Sequence, residues 1–200
     1  MLLVVSKRPK KTRNIASAPQ QVRIIAGRWR GTKLPVVLQE TVRPTPNRVR
    51  ETLFNWLQTR IEGSHCLDLF AGSGALGIEA VSRGAAHATL VDNEQKVISL
   101  LSQQLAKLDA QEISVTCADA LSYIKNCHSR FDIIFLDPPF AIFDPAEILQ
   151  QLIDSQCIKT GGLIYVESSP ENFPKTLPDL YQWQRHLKAG QVECGLLSAN

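Results

Sequence analysis

The sequence has little that would suit a secreted, membrane-spanning or metal-binding protein. Its five cysteines form no CxxC pair and are odd in number, so we expect buried thiols rather than a disulfide framework. The apolar stretch at residues 1–5 is too short for a signal-peptide core or a membrane span. The four histidines show no metal-site or catalytic-triad spacing, and no GxSxG motif is present. We therefore expect a cytoplasmic protein without a metal and without a serine or cysteine nucleophile.

Positive charge is concentrated at the front of the chain. Residues 1–60 hold thirteen Lys and Arg against two acidic residues, whereas residues 61–200 hold nine against seventeen, within a net charge of +3. Such a segment favours a polyanionic partner, and nucleic acid fits better than a membrane because no apolar anchor accompanies it. For residues 1–20 a solvated basic tail is the alternative, and we expect this tail to be disordered before binding.

Residues 21–62 have the pattern of a small RNA-binding appendage. Strand-like runs at 22–26 and 33–38 flank a loop with two arginines and Trp29, which predicts a β-hairpin that displays these side chains. Thr45 and Pro46 then supply an N-cap and a proline at the first helical position. Apolar residues at helical spacing follow as far as Ile61, and Gly63 ends the helix.

From residue 63 onward, short apolar runs alternate with amphipathic segments. The pattern predicts strands near 65–70, 87–92, 112–118, 131–137 and 162–168, and helices near 75–83, 94–108, 120–126 and 144–155. Two further runs, 181–187 and 191–198, are so close together that they must pair as antiparallel strands. Residues 63–200 are therefore predicted to form an α/β, Rossmann-like domain whose seven-stranded, mostly parallel sheet ends in an antiparallel hairpin. This topology favours a methyltransferase-like architecture over a dehydrogenase.

The run Asp-Leu-Phe-Ala-Gly-Ser-Gly at residues 68–74 follows the first predicted strand of the domain and opens a helix. Glycines there let the backbone approach a ligand, and Gly77 completes a GxGxxG pattern that phosphate-binding loops share. Asp92 lies twenty residues beyond Gly72, where a carboxylate can accept the ribose hydroxyls, so NAD remains possible.

Acidic residues at the ends of the first and third strands of the domain favour S-adenosylmethionine, which carries an ammonium and a sulfonium but no phosphate. Asp119 and Ala120 would meet the adenine, although Asp92 and Asp119 could instead be ordinary helix caps. The candidate cofactor-binding residues are Asp68, Phe70, Ala71, Gly72, Gly74, Asp92, Asn93, Asp119 and Ala120.

A second loop, Asp137-Pro138-Pro139-Phe140, follows the apolar run at 131–136. Successive prolines fix the backbone and remove two N–H donors, which leaves carbonyl acceptors. The Asp137 carboxylate and the Pro138 carbonyl can each accept an N–H bond from a planar exocyclic amine, while Phe140 stacks on the base. These four residues are the candidate catalytic residues, and their contribution is alignment of the amine with a methyl donor rather than strong base catalysis.

Together, the motifs resemble those of the RsmD family, class I S-adenosylmethionine-dependent methyltransferases of bacteria. The resemblance runs from about Val22 to Leu197 and is most specific in residues 23–31, 43–55, 68–74 and 137–140. It implies methylation of guanine N2 in 16S ribosomal RNA, within the small ribosomal subunit or its precursor, with S-adenosylhomocysteine as the product. We expect a monomer. The candidate RNA-binding residues are Arg23, Arg28, Arg30, Lys33, Arg43, Arg48 and Arg50.

Other functions remain open at this point. The loop at 137–140 suits any planar exocyclic amine, so a DNA adenine N6-methyltransferase is the main alternative. A protein glutamine methyltransferase would usually begin this loop with Asn rather than Asp137. A non-catalytic RNA-binding assembly factor could keep the same fold, and a dehydrogenase is the weakest alternative because no hydride-acceptor site is identifiable.

Overall fold

The computed structural model describes residues 21–36, 47–138 and 144–200, so the predicted tail at residues 1–20 lies outside the described residues. The strands are β1 (Gln21–Arg23), β2 (Lys33–Pro35), β3 (His65–Asp68), β4 (His87–Asp92), β5 (Ile113–Cys117), β6 (Phe131–Leu136), β7 (Ile158–Ser168), β8 (Tyr181–Ala189) and β9 (Val192–Ala199). The helices are α1 (Asn47–Trp56), α2 (Ala75–Ser82), α3 (Gln95–Leu108), α4 (Ala120–Lys125) and α5 (Pro145–Asp154).

Seven strands form one sheet in the order β5-β4-β3-β6-β7-β9-β8. The five strands from β5 to β7 run parallel, whereas β9 is antiparallel to both β7 and β8. Gly190 and Gln191 alone connect β8 to β9, and the left-handed φ of 66° at Gly190 suits a tight hairpin turn. The predicted α/β sheet with an antiparallel terminal hairpin is confirmed.

Helices cover both faces of this sheet. Residues of α1, α2 and α3, such as Leu53, Ile78 and Leu101, share a core cluster with Phe135 of β6. Residues of α4 and α5 share a second cluster with the next residue of β6, Leu136. Successive residues of a strand point to opposite sides, so the two clusters lie on opposite faces of the sheet. We refer to the side covered by α1, α2 and α3 as the first face.

The N-terminal hairpin pairs β1 with β2 and packs against the first face. Its strands are shorter than predicted, three residues each. Ile24 and Leu34 are fully buried in the first-face cluster, and Trp29 is only 9% exposed there. The prediction that Trp29 is displayed to solvent is therefore wrong: its ring contributes to the core. The division of the chain at residues 20 and 62 remains a prediction.

Other boundaries differ locally from the predictions. Helix α1 ends at Trp56, and the chain continues as turns in which Leu57 and Ile61 are still buried. The predicted start of this helix at Thr45 lies outside the described residues. Strand β7 begins four residues earlier than predicted, because a register shift against β6 accommodates residues 159–162, including Gly161 with a φ of 72°.

Gly195 in β9 has a packing role. A Cβ there would lie 2.3 Å from the ring of Trp183, so only glycine leaves room for the indole against the strand.

Among the described residues, no helix has the length and apolar character needed to cross a membrane, and no three His, Cys, Asp or Glu side chains cluster as metal ligands. All five cysteines are free. Cys66, Cys157 and Cys194 are buried as expected, whereas Cys117 is exposed and Cys127 is partly buried.

Candidate functional site

The carboxyl ends of four neighbouring parallel strands bring acidic side chains to one edge of the sheet. Asp92 is the last residue of β4, and Asp68 is the last residue of β3. Asp137 directly follows β6, and Asp119 lies two residues after β5. Open α/β sheets bind ligands at this edge. The structure therefore brings together the two loops that the sequence singled out.

The loop after β3 places two glycines in left-handed conformations, with φ of 50° at Gly72 and 74° at Gly74. A Cβ at Gly74 would lie 2.7 Å from a methyl group of Leu101, and the left-handed φ of this residue would strain any other amino acid there. At Gly72 the nearest atom to a Cβ would be 4.0 Å away, so the backbone there borders open space. The Ala71 N–H donates to the Val91 carbonyl at 2.9 Å, which fixes the loop to β4. The partly buried Phe70 packs against the second core cluster.

Asp68 is buried, and one of its oxygens accepts a hydrogen bond from the Gly77 N–H at 3.0 Å. This bond ties the first turn of α2 to the end of β3. Burial raises the pKa of the Asp68 carboxyl to about 7, and the negative charges of Asp137 and Asp92 contribute in the same direction. A cation bound nearby would stabilise the ionised form of Asp68 and so oppose this rise in its pKa.

Asp92 supports the glycine loop with both of its oxygens. One accepts from the Gly72 N–H at 3.0 Å, and the other accepts from the Glu94 N–H at 2.9 Å. Burial raises the pKa of this carboxyl, while the two hydrogen bonds oppose the shift. Each oxygen keeps a second lone pair that can accept a hydroxyl. Asn93, the next residue, is exposed.

Asp119 is the N-cap of α4. Its side chain accepts a hydrogen bond from the Ser122 N–H at 2.9 Å, and Ala120 behind it is buried. The capping role considered from the sequence therefore exists in the structure. Contact between these residues and an adenine remains a prediction.

Asp137 is partly buried and Pro138 is buried, at the point where β6 ends. The negative charge of Asp137 contributes to the raised pKa of Asp68, which lies on the neighbouring strand β3. It also contributes to the raised pKa of Tyr165 on β7, the strand on the other side of β6. Two residues of the predicted catalytic loop, Pro139 and Phe140, lie outside the described residues.

This edge suits a cationic nucleoside better than a pyrophosphate. The described residues assigned to cofactor binding include three carboxylates and no basic side chain, and Gly72 leaves open space beside one of them, Asp92. Carboxylates attract an ammonium or sulfonium and repel a phosphate. The residues present therefore fit S-adenosylmethionine.

Four of the predicted RNA-binding residues are exposed: Arg23, Arg30, Lys33 and Arg48. Arg28 is also on the surface, where it forms a two-pronged ion pair with Glu112, both contacts at 2.9 Å, and stacks over Trp29 at 4.0 Å. A polyanion would have to compete with Glu112 for this arginine. Arg43 lies outside the described residues.

The structure contradicts the assignment of Arg50 to an RNA-binding surface. Its side chain is 1% exposed and donates hydrogen bonds to the Arg23 carbonyl and the Asn47 side chain, both at 2.8 Å. Its guanidinium also lies 4.0 Å from the Glu79 carboxylate. Arg50 therefore joins α1 to the hairpin inside the fold. The sequence placed it near the start of a helix but could not tell which face it occupies.

Helix α2 holds this hairpin through two buried polar side chains. The oxygens of Glu79, which is fully buried, accept from the Ile25 N–H at 2.7 Å and the Ala26 N–H at 2.9 Å, and Arg83 donates to the same carboxylate. The Ser82 hydroxyl donates to the Ala26 carbonyl at 2.7 Å. The helix that begins at the glycine loop thus also anchors the cationic hairpin.

Comparisons with known proteins agree with this architecture. The family model described as Conserved hypothetical protein 95 matches residues 22–198. "Ribosomal RNA small subunit methyltransferase D" of Escherichia coli strain K12 is 46% identical over 176 residues, which cover 88% of this chain and 89% of the relative. The chain belongs to the RsmD family of methyltransferases.

Other relatives extend the match. The protein of the same name in Haemophilus influenzae is 42% identical, with 78% of this chain and 87% of the relative covered. The solved structure described as a putative methyltransferase, yhhF, from Escherichia coli has a TM-score of 0.83 at 44% identity, covering 90% of this chain and 99% of that one.

In this RsmD-family chain, sequence reasoning missed two buried acidic residues. Glu79 lies in the apolar helix α2, and Glu167 lies in the apolar strand β7, where it is 1% exposed. The signal was available, because an ionisable residue within an otherwise apolar segment must be paired or have a function. The partners of each could not be read from the sequence.

Proposed function

We propose that the chain transfers a methyl group from S-adenosylmethionine to the exocyclic N2 of a guanine in 16S ribosomal RNA of the small subunit. The observation that carries this proposal is the adjacency of two loops at one edge of the sheet. The glycine loop with Asp68 follows β3, and Asp137-Pro138 follows the neighbouring strand β6. The names of the Escherichia coli and Haemophilus influenzae relatives support ribosomal RNA of the small subunit as the substrate.

The residues that would hold the methyl donor are those around Gly72. Asp92 offers acceptors for the ribose hydroxyls, Asp68 favours the cationic part, and Asp119 with Ala120 borders the adenine. When bound, the donor supplies a methyl group on a sulfonium, so that its sulfur leaves as a neutral thioether with the electron pair of the carbon–sulfur bond.

The acceptor amine would be held by Asp137 and Pro138. The lone pair of an exocyclic guanine nitrogen is delocalised into the ring, so the amine is a weak nucleophile. A carboxylate and a carbonyl that each accept one N–H bond orient this lone pair towards the methyl group. Orientation of this kind can lower a barrier by about 7 to 11 kcal/mol in favourable cases. Stacking of Phe140 on the base completes the proposed pocket.

RNA binding is assigned to the exposed cations of the hairpin and α1. Arg23, Arg30, Lys33 and Arg48 are available for phosphates, because none of them is buried. The Glu79 and Ser82 contacts hold the backbone of this hairpin on α2, which also begins at the glycine loop. Phosphate contacts would thereby position the RNA relative to the methyl donor.

The test is methyl transfer from labelled S-adenosylmethionine to small-subunit particles, with the modified nucleoside identified by mass spectrometry. The wild-type protein should form N2-methylguanosine. D137A should bind S-adenosylmethionine with nearly unchanged affinity but turn over roughly tenfold to two-hundredfold more slowly, because loss of one useful hydrogen bond costs about 1 to 3 kcal/mol. A variant with Arg23, Arg30, Lys33 and Arg48 replaced by Gln should instead raise KM for the particle, with a weaker dependence on salt.

Each alternative has a distinct outcome. N6-methyladenosine as the product, or preference for DNA, would replace the proposal with adenine methylation. Failure of the wild-type protein to bind S-adenosylmethionine would favour a non-catalytic assembly role. Unchanged turnover by D137A would remove Asp137 from the reaction.

A further inference from the structure

Strand β7 carries a buried polar pair beside Asp137. The Tyr165 hydroxyl donates to a Glu167 carboxylate oxygen at 2.5 Å, and the two residues are 0% and 1% exposed. Both side chains lie on the first face of the sheet, because Tyr165 belongs to its core cluster and Glu167 follows two residues later. A buried carboxylate is costly, and apolar residues of similar size would serve packing at least as well. The pair therefore calls for a role other than stability.

The register places this carboxylate next to the candidate catalytic residue. Leu136 of β6 pairs with Val166 of β7, so the next positions along the two parallel strands are Asp137 and Glu167. Neighbouring strands lie about 4.8 Å apart, and residues at matching positions of parallel strands point to the same face. On the other side, Glu167 pairs with Cys194 of β9, whose side chain also lies on the first face.

We propose that Glu167, held by Tyr165, is a positioning residue that makes the Asp137 carboxylate a stronger proton acceptor for the methylated amine. The inference rests on the proposed function. In that reaction the amine nitrogen forms a bond to the methyl carbon as the carbon–sulfur bond breaks, and the nitrogen becomes positively charged. One N–H proton then passes to an Asp137 oxygen, which leaves a neutral secondary amine and a protonated carboxyl.

The charge of Glu167 produces this effect by repulsion. A short hydrogen bond from a hydroxyl stabilises an ionised carboxylate, so the bond from Tyr165 favours the negative form of Glu167 on which the proposal depends. A fixed negative charge on the adjacent strand makes ionised Asp137 less favourable and its protonated form more favourable. The burial and the charges that surround Tyr165 raise its pKa, so the hydroxyl remains a donor at neutral pH.

Other ionisable groups face the same region, and their charges also act on Asp137. Asp68 of β3, Asp92 of β4 and Cys194 of β9 lie at this edge or on this face of the sheet. The charged side chains of the covering helices, Arg50 of α1 with Glu79 and Arg83 of α2, contact one another. All of these groups remain in place when only Glu167 or Tyr165 is changed. Because Tyr165 also interacts with the Cys194 thiol, E167Q is the direct test of the Glu167 charge and Y165F is the supporting one.

The experiment follows the carboxyl carbon of Asp137 by NMR during a pH titration of the unliganded protein, with D137N used to assign the signal. E167Q should lower the titration midpoint of Asp137 by about one to two pH units, because it removes a unit charge roughly 6 Å away. This magnitude corresponds to an effective dielectric of about 20. Y165F should lower it by less, because Glu167 stays present but loses the bond that favours its ionised form. Both substitutions are nearly isosteric, and thermal unfolding checks that the variants are folded.

A matched control is D154N, since Asp154 is exposed at the far end of α5 and accepts a hydrogen bond from the Gln150 side chain at 2.9 Å. It should leave the Asp137 midpoint unchanged. The low-pH limb of kcat, measured with saturating donor and RNA, should shift in the same order as the NMR midpoints. An unchanged midpoint in folded E167Q would overturn the inference. A midpoint that shifts as expected while the wild-type protein methylates no RNA would instead overturn the proposed function and leave the coupling intact.

Discussion

Replacement of Glu79 by Gln should detach the N-terminal hairpin from α2 and destabilise the whole protein. The carboxylate is fully buried and accepts from two backbone N–H groups, those of Ile25 and Ala26, as well as from Arg83. Glutamine has the same shape, but its amide turns one acceptor oxygen into an NH2 donor. That donor would face a backbone N–H, and the nearby guanidinium of Arg50 would lose its counter-charge.

The magnitude follows from these contacts. Hydrogen bonds to a charged group contribute about 1.5 to 3 kcal/mol each, and removal of one partner from a buried ion pair costs about 3 to 5 kcal/mol. Because the contacts share one carboxylate, they do not add, and we expect a loss of about 3 to 5 kcal/mol in the free energy of unfolding. For a protein of this size, the corresponding fall in Tm is about 6 to 20 °C.

Urea unfolding and thermal unfolding measure the loss, and hydrogen exchange of residues 22–34 locates it. E171Q is the control, because Glu171 is exposed and its replacement should change stability by less than about 0.5 kcal/mol. Protection should fall first in the hairpin amides. An E79Q protein within about 1 kcal/mol of wild type, with the hairpin still protected, would refute the role given to Glu79.

Two further predictions concern the loop that packs on α2 and the buried carboxylate of β3. G27A should be at least about 2 kcal/mol less stable than G31A in thermal unfolding. Both glycines have positive φ, but a Cβ at Gly27 would lie 1.7 Å from the Ser82 carbonyl oxygen, whereas no atom lies within 4 Å of a Cβ at Gly31. Equal stabilities would contradict the close approach. The contribution of Asp68 to the free energy of unfolding should fall by about 3 kcal/mol as pH rises from 4 to 7, because burial raises the folded-state pKa of Asp68 to about 7 and the folded protein binds the extra proton in that range. D68N should lack this contribution in urea titrations across pH, and an identical slope in both proteins would contradict it.

The sheet could be predicted from the sequence because its strands are apolar runs with clear boundaries. The two-residue link between β8 and β9 also determined the antiparallel end. Strand ends were less predictable, as at β7, where Gly161 allows a bulge that no periodicity records.

Some residues of the candidate site could likewise be placed from the sequence, and others could not. Residues at the carboxyl ends of parallel strands, such as Asp68 and Asp137, could be placed from the sequence, since topology alone brings those ends together. Trp29 and Arg50 could not, because their burial depends on how the hairpin packs against α2, a contact between residues more than fifty positions apart. A short segment rich in arginine looks the same in sequence whether its side chains face solvent or a buried carboxylate.

Analysis of 16S ribosomal RNA from cells that lack this protein tests the central claim most directly. Mass spectrometry of the RNA should show the loss of an N2-methyl group from one guanine. Expression of the wild-type chain should restore this group, and expression of D137A should not. A complete set of N2-methylguanines in the deletion strain, or full restoration by D137A, would contradict the account.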